Sequence, residues 1–376
     1  MKIKFLKFID TFAGKILCLF LGYLDYLFNW TTKEARVPEQ PQRILIIRPG
    51  GMGDFLYLLP TLKLLKARYP QVQIHILAEK RNRAVKDLTN IIDKMLCYDS
   101  NPFATLISLR QEKYDVVIDS EQFHNFSALF SYLTSAKVRI GFKTNPFRNH
   151  LYTHLIDYTL RGFEAVEFAR LLEPLEIKTK EAPLIMGILH DKILSTPLPT
   201  ELTDLKARHS SIILIAPQGT DKYRFWAPEK YQQVIKALVR NPQQAVAIIG
   251  SKSERKFTEK IIRGLPDRKD QIISLVGKTS FLELGRIITE SALFVGCDSG
   301  SAILTSMLGA KSLVLFGSTD EKKWGLENSE HVIVKKEMAC APCYMLGSHK
   351  YCKRIDCMEK ISPADVISAI NQLGFN

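Results

Sequence analysis

Several common signatures are missing from this 376-residue chain. No secretory signal with a cleavage site is evident, so a reducing cytosol is the expected compartment. No low-complexity tract or short tandem repeat interrupts it, which excludes solenoid architectures. The glycine-rich turn Gly50-Gly51-Met52-Gly53 is not followed by Gly-Lys-Ser/Thr, so it is no P-loop, and it does not fit the G-x-G-x-x-G fingerprint. Zinc-finger, helix-turn-helix and RNA-binding aromatic motifs are absent. Acidic residues are in deficit: 39 Asp and Glu stand against 52 Lys and Arg, for a net charge of +13. Such a charge favours anionic partners; with no nucleic-acid motif to accompany it, anionic lipid and phosphorylated ligands remain.

A long charge-free apolar run is also lacking at the N-terminus. It extends only from Ile16 to Leu24, short of the ~20 residues a membrane span needs. Residues 1–30 nevertheless read as one helix. Lys4, Lys7, Thr11, Lys15, Cys18, Gly22, Asp25 and Asn29 form a narrow polar stripe beside a broad apolar face. That pattern suits a helix lying in the membrane plane, with lysines against anionic headgroups, or a helix packed on the protein's own body. Residues 31–42, with Pro38 and Pro41, read as a linker that sets this helix apart.

The rest of the chain is 46% hydrophobic and 24% charged overall, enough for two cores. Apolar strands alternate with helical patterns. Strands are expected at Arg43–Arg48, Val72–Ala78, Met95–Tyr98, Asp115–Asp119 and Val138–Ile140, closed by a helix over Glu164–Leu175. After a Pro-containing stretch they resume at Ile212–Ala216, Ala245–Ile249, Ile272–Val276, Leu293–Val295, Leu313–Phe316 and Val332–Val334. Such alternation predicts an α/β protein with two Rossmann-like domains, each a covered parallel sheet. The boundaries are 43–180 and 211–360, with an interdomain region at 181–210 and a C-terminal helix within 361–376.

Two junctions carry chemistry. Asp298-Ser299-Gly300 ends a buried strand and opens a helix. Ligands of open α/β sheets bind at strand carboxyl ends, and helix starts attract phosphate. Pro49-Gly50-Gly51-Met52-Gly53-Asp54 joins the first strand to an amphipathic helix, Phe55–Arg68. Its glycines let backbone approach a ligand, and Asp54 is either a helix cap or a general base.

These segments, in order, resemble the ADP-heptose lipopolysaccharide heptosyltransferases of glycosyltransferase family nine. The likeness spans about residues 43–360. It rests on Ile47-Arg48-Pro49-Gly50-Gly51-Met52-Gly53-Asp54, Tyr114–Asp119, Arg139–Phe142, Pro217–Thr220 with Arg224–Pro228, Gly250-Ser251, Cys297–Gly300 and the Cys340-Ala-Pro-Cys343 pattern. The resemblance implies a GT-B fold, two Rossmann-like domains facing a central cleft, with the last helix crossing back to the first domain. It implies inverting transfer of a heptose or related sugar from an ADP-activated donor to a lipid-linked glycan, such as a lipopolysaccharide core. The expected setting is peripheral, on the cytoplasmic face of a bacterial inner membrane. Asp54 would be the catalytic base beside Gly51 and Gly53. Arg224, where the family has a Lys, would hold donor phosphate with Thr220 and the backbone of Ser299, Gly300 and Ser301. Glu254, after Gly250 and Ser251, would hold the ribose; Thr279 would flank the adenine; Asp298 would touch the transferred sugar. No Asp-x-Asp motif is apparent, so no metal or other cofactor is expected.

One departure is that Ile303 occupies the place of a family His. It leaves open a catalytically silent membrane-associated scaffold or a transferase using another nucleotide-sugar; an epimerase's acidic and His pattern is not visible. His75, His124, His150 and His154 read as surface or satisfied histidines. Cys340, Cys343, Cys352 and Cys357 allow structural zinc, reduced thiols or a disulfide.

Overall fold

The computed structural model describes residues 9–28, 35–178, 191–219, 221–268, 270–345, 348–349 and 354–375. The chain divides into two compact units, Met1–Ile188 and Leu189–Asn376.

In the first unit a π-helical turn, Asp10–Gly14, runs into α1, Lys15–Phe28. Then follow β1 (Arg43–Arg48), α2 (Met52–Arg68), β2 (Gln73–Ala78), β3 (Lys94–Cys97), α3 (Pro102–Gln111), β4 (Val116–Asp119), α4 (Asn125–Leu133), β5 (Val138–Phe142), α5 (Pro146–Asn149), β6 (His154–Ile156) and α6 (Glu164–Arg170). The strands pair in parallel in the order β3-β2-β1-β4-β5-β6. β1 is central, with Ile46 opposite Ile76 and Ile118. Its residues Ile44–Ile47 are buried because helices cover both faces. α2 starts at Met52, earlier than the expected Phe55, and so takes Asp54 into its first turn. Gly51 takes the N-cap position without a side-chain cap, so Asp54 is not the cap. Phe55–Leu62 are buried all round the helix. The amphipathic expectation fails there because α6 packs on the side away from the sheet, with Tyr57 edge-on to Phe163 at 5.4 Å.

α1 is not held apart by the linker. Asp10, Gly14 and Cys18 are buried against α4 and α5. His150 donates to the Cys18 carbonyl at 2.8 Å, and Tyr132 to Asp25 at 2.9 Å. At Gly22 an added Cβ would stand 2.0 Å from the His150 ring, so only glycine permits this approach. The opposite face is open: Ile16, Phe20, Tyr23, Tyr26 and Phe28 are exposed. Lys4, Lys7 and Asn29 of the expected stripe lie outside the described residues.

Beneath the sheet's carboxyl edge lies a buried ion pair. Arg148 of α5 and Asp119 of β4 are 3.0 Å apart with both side chains fully buried. Tyr152 also donates to Asp119, and Arg148 donates to the carbonyls of His124 and Glu121 at 2.6 and 2.8 Å.

The second unit contains α7 (Asp191–Ser195), α8 (Thr200–Arg208), β7 (Ser211–Ala216), α9 (Pro228–Leu238), β8 (Gln244–Ile248), α10 (Arg255–Arg263), β9 (Ile272–Ser274), α11 (Phe281–Thr289), β10 (Leu293–Cys297), α12 (Gly300–Met307), β11 (Ser312–Leu315), α13 (Glu321–Trp324), β12 (His331–Val334), a hairpin at Tyr344–Met345 and Ser348–His349, α14 (Asp356–Glu359) and α15 (Pro363–Gln372). Its parallel sheet runs β12-β11-β10-β7-β8-β9. Renumbered from its own first strand, that is the order of the first unit, so both are doubly wound Rossmann-type sheets. The core gathers Ile213, Ile215, Val246, Val295 and Leu313 with Trp226 and Tyr231. The C-terminal helix α15 adds Val366, Ala369 and Ile370 to this same core, packing on α9 and β12 of its own unit. Ser362 and Asp365 fix its start with a capping box.

The Asp119–Arg148 pair yields a stability prediction. Asp119→Ala strands the Arg148 charge in the interior and should cost about 3–5 kcal/mol. Urea denaturation checks it; an unchanged midpoint would show the pair to be dispensable.

Candidate active site

In a doubly wound sheet the ligand crevice lies outside the strand carboxyl ends, where strand order reverses. That point falls between β1 and β4 in the first unit and between β7 and β10 in the second. The two sequence junctions leave β1 and β10, so each lies at a reversal.

On the first rim, Gly50 takes φ +106°, which favours glycine. An added Cβ on Gly51 would lie 3.0 Å from Asp54 Oδ2, so the turn folds tightly over that carboxylate. Gly53 follows in the first turn of α2. Asp54 pairs with Arg48 at 3.4 Å; the Arg48 side chain is 3% exposed and that of Asp54 27%. Arg48 is the hub. It donates to the Ser120 carbonyl at 2.7 Å and to Gln122 Oε1 at 3.4 Å, and it lies 5.0 Å from the Phe168 ring centroid. Gln122 in turn donates to Glu164, which also accepts from Tyr158 at 2.8 Å. Burial pulls the Arg48 pKa down, but Asp54, Glu121 and Glu164 outweigh it and hold the guanidinium firmly charged. Glu121 accepts from the backbone N–H of Gln122 and Phe123 at 3.0 and 3.1 Å. Burial raises its pKa, yet His124, Arg48 and the Phe123 amide bring the carboxyl below its usual range.

The second rim distributes its residues along adjacent strands in the order β10, β7, β8, β9, each step about 4.8 Å. After β10, Asp298 is 5% exposed and pairs with Arg224, 20% exposed, at 3.1 Å. Arg224 also donates to the Asp298 carbonyl at 3.3 Å. Burial lowers the Arg224 pKa, but Asp298 and Tyr344 more than restore it. Ser299 caps α12, accepting from Ala302, and its hydroxyl meets that of Ser301 at 2.9 Å. Gly300 opens the helix. Gly219, after β7, packs against Ser299; its Cβ would come within 3.3 Å. Thr220 lies outside the described residues. After β8, Ser251 donates to Glu254 at 2.8 Å. A Cβ on Gly250 would strike the Glu254 carboxylate at 2.4 Å, so this glycine makes room for it. Burial pushes the Glu254 carboxyl up. After β9, Gly277 N–H donates to the Gly250 carbonyl at 2.8 Å, which draws the Thr279 loop toward the Gly250 turn. Ser280 caps α11 with Glu283.

The sequence reading missed four participants. Arg48 was visible only as the last residue of an apolar strand. Gln122 and Glu164 gave no local signal. Tyr344 stood in the sequence only as the neighbour of Cys343, but the Cys343 and Tyr344 amides donate to the Ser318 carbonyl at 3.0 and 2.8 Å. That seats the Tyr344 ring 4.9 Å from the Arg224 guanidinium. Cys357 belongs to the apolar core, Cys340 is exposed, and Cys352 lies outside the described residues. Among the described residues no group of three or more His, Cys, Asp or Glu side chains could hold a metal ion. The four histidines are satisfied locally: His75 by Tyr114 at 3.0 Å, His124 by Asp10 at 3.2 Å, His150 by Cys18, His154 by Thr153 at 2.9 Å. Ile303 is 7% exposed and packs inside α12.

Two doubly wound Rossmann-type units in one chain are the architecture of the GT-B fold. The description glycosyltransferase family 9 (heptosyltransferase) matches residues 103–352, and the chain belongs to that family. It is 28% identical over 289 residues to lipopolysaccharide heptosyltransferase 3 of Escherichia coli K12, covering 72% of this chain and 81% of that protein. The fold matches E. coli ADP-heptose lps heptosyltransferase II with a TM-score of 0.71 at 18% identity, covering 88% of this chain and 98% of the other. It also matches E. coli heptosyltransferase WaaC with ADP-2-deoxy-2-fluoro heptose, with a TM-score of 0.68 at 16% identity, covering 88% and 99%.

Proposed function

We propose that this enzyme transfers a heptose or closely related sugar, with inversion, from an ADP-activated donor to a lipid-linked glycan of the lipopolysaccharide core. One observation carries the reading. Both rims hold an Arg–Asp pair at a strand-order reversal, but the more exposed member differs: the carboxylate Asp54 in the first unit, the cation Arg224 in the second. A displacement at a sugar carbon needs one of each. Asp54 takes the proton from the acceptor hydroxyl, whose oxygen bonds to the anomeric carbon as the bond to the diphosphate oxygen breaks. ADP departs with that bond's electron pair, and a single displacement inverts the centre. Arg48 holds the Asp54 carboxylate in place.

Donor groups follow the strand order. The sugar meets Asp298, and the diphosphate meets Arg224 and the unpaired N–H groups of Ser299, Gly300 and Ser301 at the start of α12. Thr220 adds a hydroxyl from the same loop as Arg224. The ribose hydroxyls bond to Glu254 beside Gly250 and Ser251, with adenine next to Thr279. Arg224 in place of the family Lys offers bidentate phosphate contact. The chemistry assigned to these residues calls for no metal. The buried Ile303 in the place of a family His favours one variant of this reading, a different donor sugar.

Placement on the cytoplasmic face of the inner membrane belongs to the same proposal. The helix Asp10–Phe28 is, by length and composition, apolar enough to cross a bilayer. Its docked face argues against crossing, since Asp10, Cys18 and Asp25 are bonded to the body of the unit. The exposed aromatic face suits an in-plane position on a membrane surface.

Three measurements test the proposal. Asp54→Asn should cut turnover by roughly a hundredfold or more while ADP still binds; near-normal turnover would remove Asp54 as base. Arg224→Ala should weaken ADP binding by about 1.5–3 kcal/mol in calorimetry; an unchanged affinity would remove Arg224 from the diphosphate site. The intact chain should float with anionic vesicles, and the double substitution Phe20→Glu, Tyr23→Glu on the open face of α1 should abolish it. Equal flotation of both would make α1 a packing element only.

A further inference from the structure

Asp10 has no part in the transfer chemistry above, yet it is 6% exposed and fully engaged. Its carboxylate accepts from the backbone N–H of Asn125 at 3.1 Å and of Phe126 at 2.7 Å, and it pairs with the His124 ring at 3.2 Å. Its carbonyl accepts from the Asn125 side chain at 3.0 Å. The N-cap residue of α4, His124, makes no side-chain cap of its own. An anion from more than a hundred positions earlier in the chain therefore supplies the cap that this nine-residue helix lacks. Desolvation works against the Asp10 charge, but His124 and the two amides prevail, and its carboxyl lies below the usual range.

What α4 follows gives this contact its meaning. The segment from Ser120 to His124 links β4 to α4 and is tied at both ends. At one end Arg48 grips the Ser120 carbonyl and Gln122; at the other Asp10 grips His124, Asn125 and Phe126. Between them Thr144 donates to the Gln122 carbonyl, and Asn145 to that of Phe123 at 3.3 Å. Arg48 is the residue that holds Asp54.

We propose that Asp10 is a positioning residue for the transfer reaction: it fixes the Ser120–His124 segment, and through Arg48 the carboxylate of Asp54, so that the membrane-facing N-terminal helix is an integral part of the active unit. The inference rests on the assignment of Asp54 as base. It makes the Asp10 contact matter for turnover rather than for substrate affinity, because Arg48 and the segment set where the base sits and need not touch the acceptor.

The experiment uses the full-length chain, ADP-heptose and a lipopolysaccharide core acceptor, well below the melting temperature of each variant. Asp10→Asn keeps shape and removes charge. It should lower kcat about tenfold, within the range that small misplacements of a reacting group cost. Acceptor KM, ADP affinity and vesicle flotation should stay within about twofold of wild type, the split expected of geometry lost in the transition state rather than binding lost uniformly. Asp10→Glu, which restores the charge, should recover most of the kcat. Wild-type kcat in Asp10→Asn, with Asp54→Asn inactive, overturns the inference alone. A lowered melting temperature with kcat unchanged does so too, since it marks Asp10 as structural only. An active Asp54→Asn instead overturns the assignment of the base. If Asp10→Asn does not fold, His124→Gln, which removes the other half of the pair, is read by the same kcat and KM split.

Discussion

A guanidinium buried at the end of a central strand is an expensive object, and Arg48 sets the terms for the first unit. A charge taken from water must be paired and hydrogen-bonded. Arg48 meets that demand by drawing on α2 through Asp54, on the β4–α4 segment through Ser120 and Gln122, and on α6 through Phe168. None of these elements adjoins another in sequence. The charge therefore acts as a fastener, and the carboxylate it leaves part-exposed inherits its rigidity. The lower layer, Asp119 with Arg148 and Tyr152, repeats the logic with no exposed member at all.

The second unit solves the opposite problem. Here the buried partner is the carboxylate of Asp298, on the strand end, and the cation reaches it from the loop after β7. An Arg that already has one carboxylate partner keeps further N–H donors for a second anion. Tyr344 lies close to that guanidinium and limits where it can swing. Duplicated topology thus carries two rims of opposed polarity, a part-exposed carboxylate on one and a part-exposed cation on the other.

Much of this was legible in the sequence for a simple reason: fully covered parallel strands are unbroken apolar runs, and all eleven expected runs became strands. β6 escaped notice because His154-Leu155-Ile156 is a three-residue edge strand with a mixed burial pattern. The turns of the two rims were legible because glycine, Asp and Ser gather where strand gives way to helix, as turn residues and helix caps. The Arg48 network was not, because Gln122 and Glu164 acquire their role only when β4 and α6 come together. Likewise the docked face of α1 was only half legible: Cys18 and Asp25 stood in the polar stripe of a helix read as lying on a membrane or on the protein's own body, Asp10 stood outside that stripe, and the partners of all three in α4 and α5 lie over a hundred residues away. Thr220 and Cys352, named from sequence, lie outside the described residues.

The Trp226 indole donates to the Ile361 carbonyl at 3.0 Å and stands edge-on to Tyr231 at 5.0 Å. Lys230 reaches the same carbonyl at 2.7 Å. Trp226 is two residues from Arg224, so the stub of chain after Cys357 serves as a doorstop for the loop that carries the cation. Any fusion, tag or frameshift that disturbs the last twenty residues would register first in the loop that carries Arg224, far from the alteration in sequence.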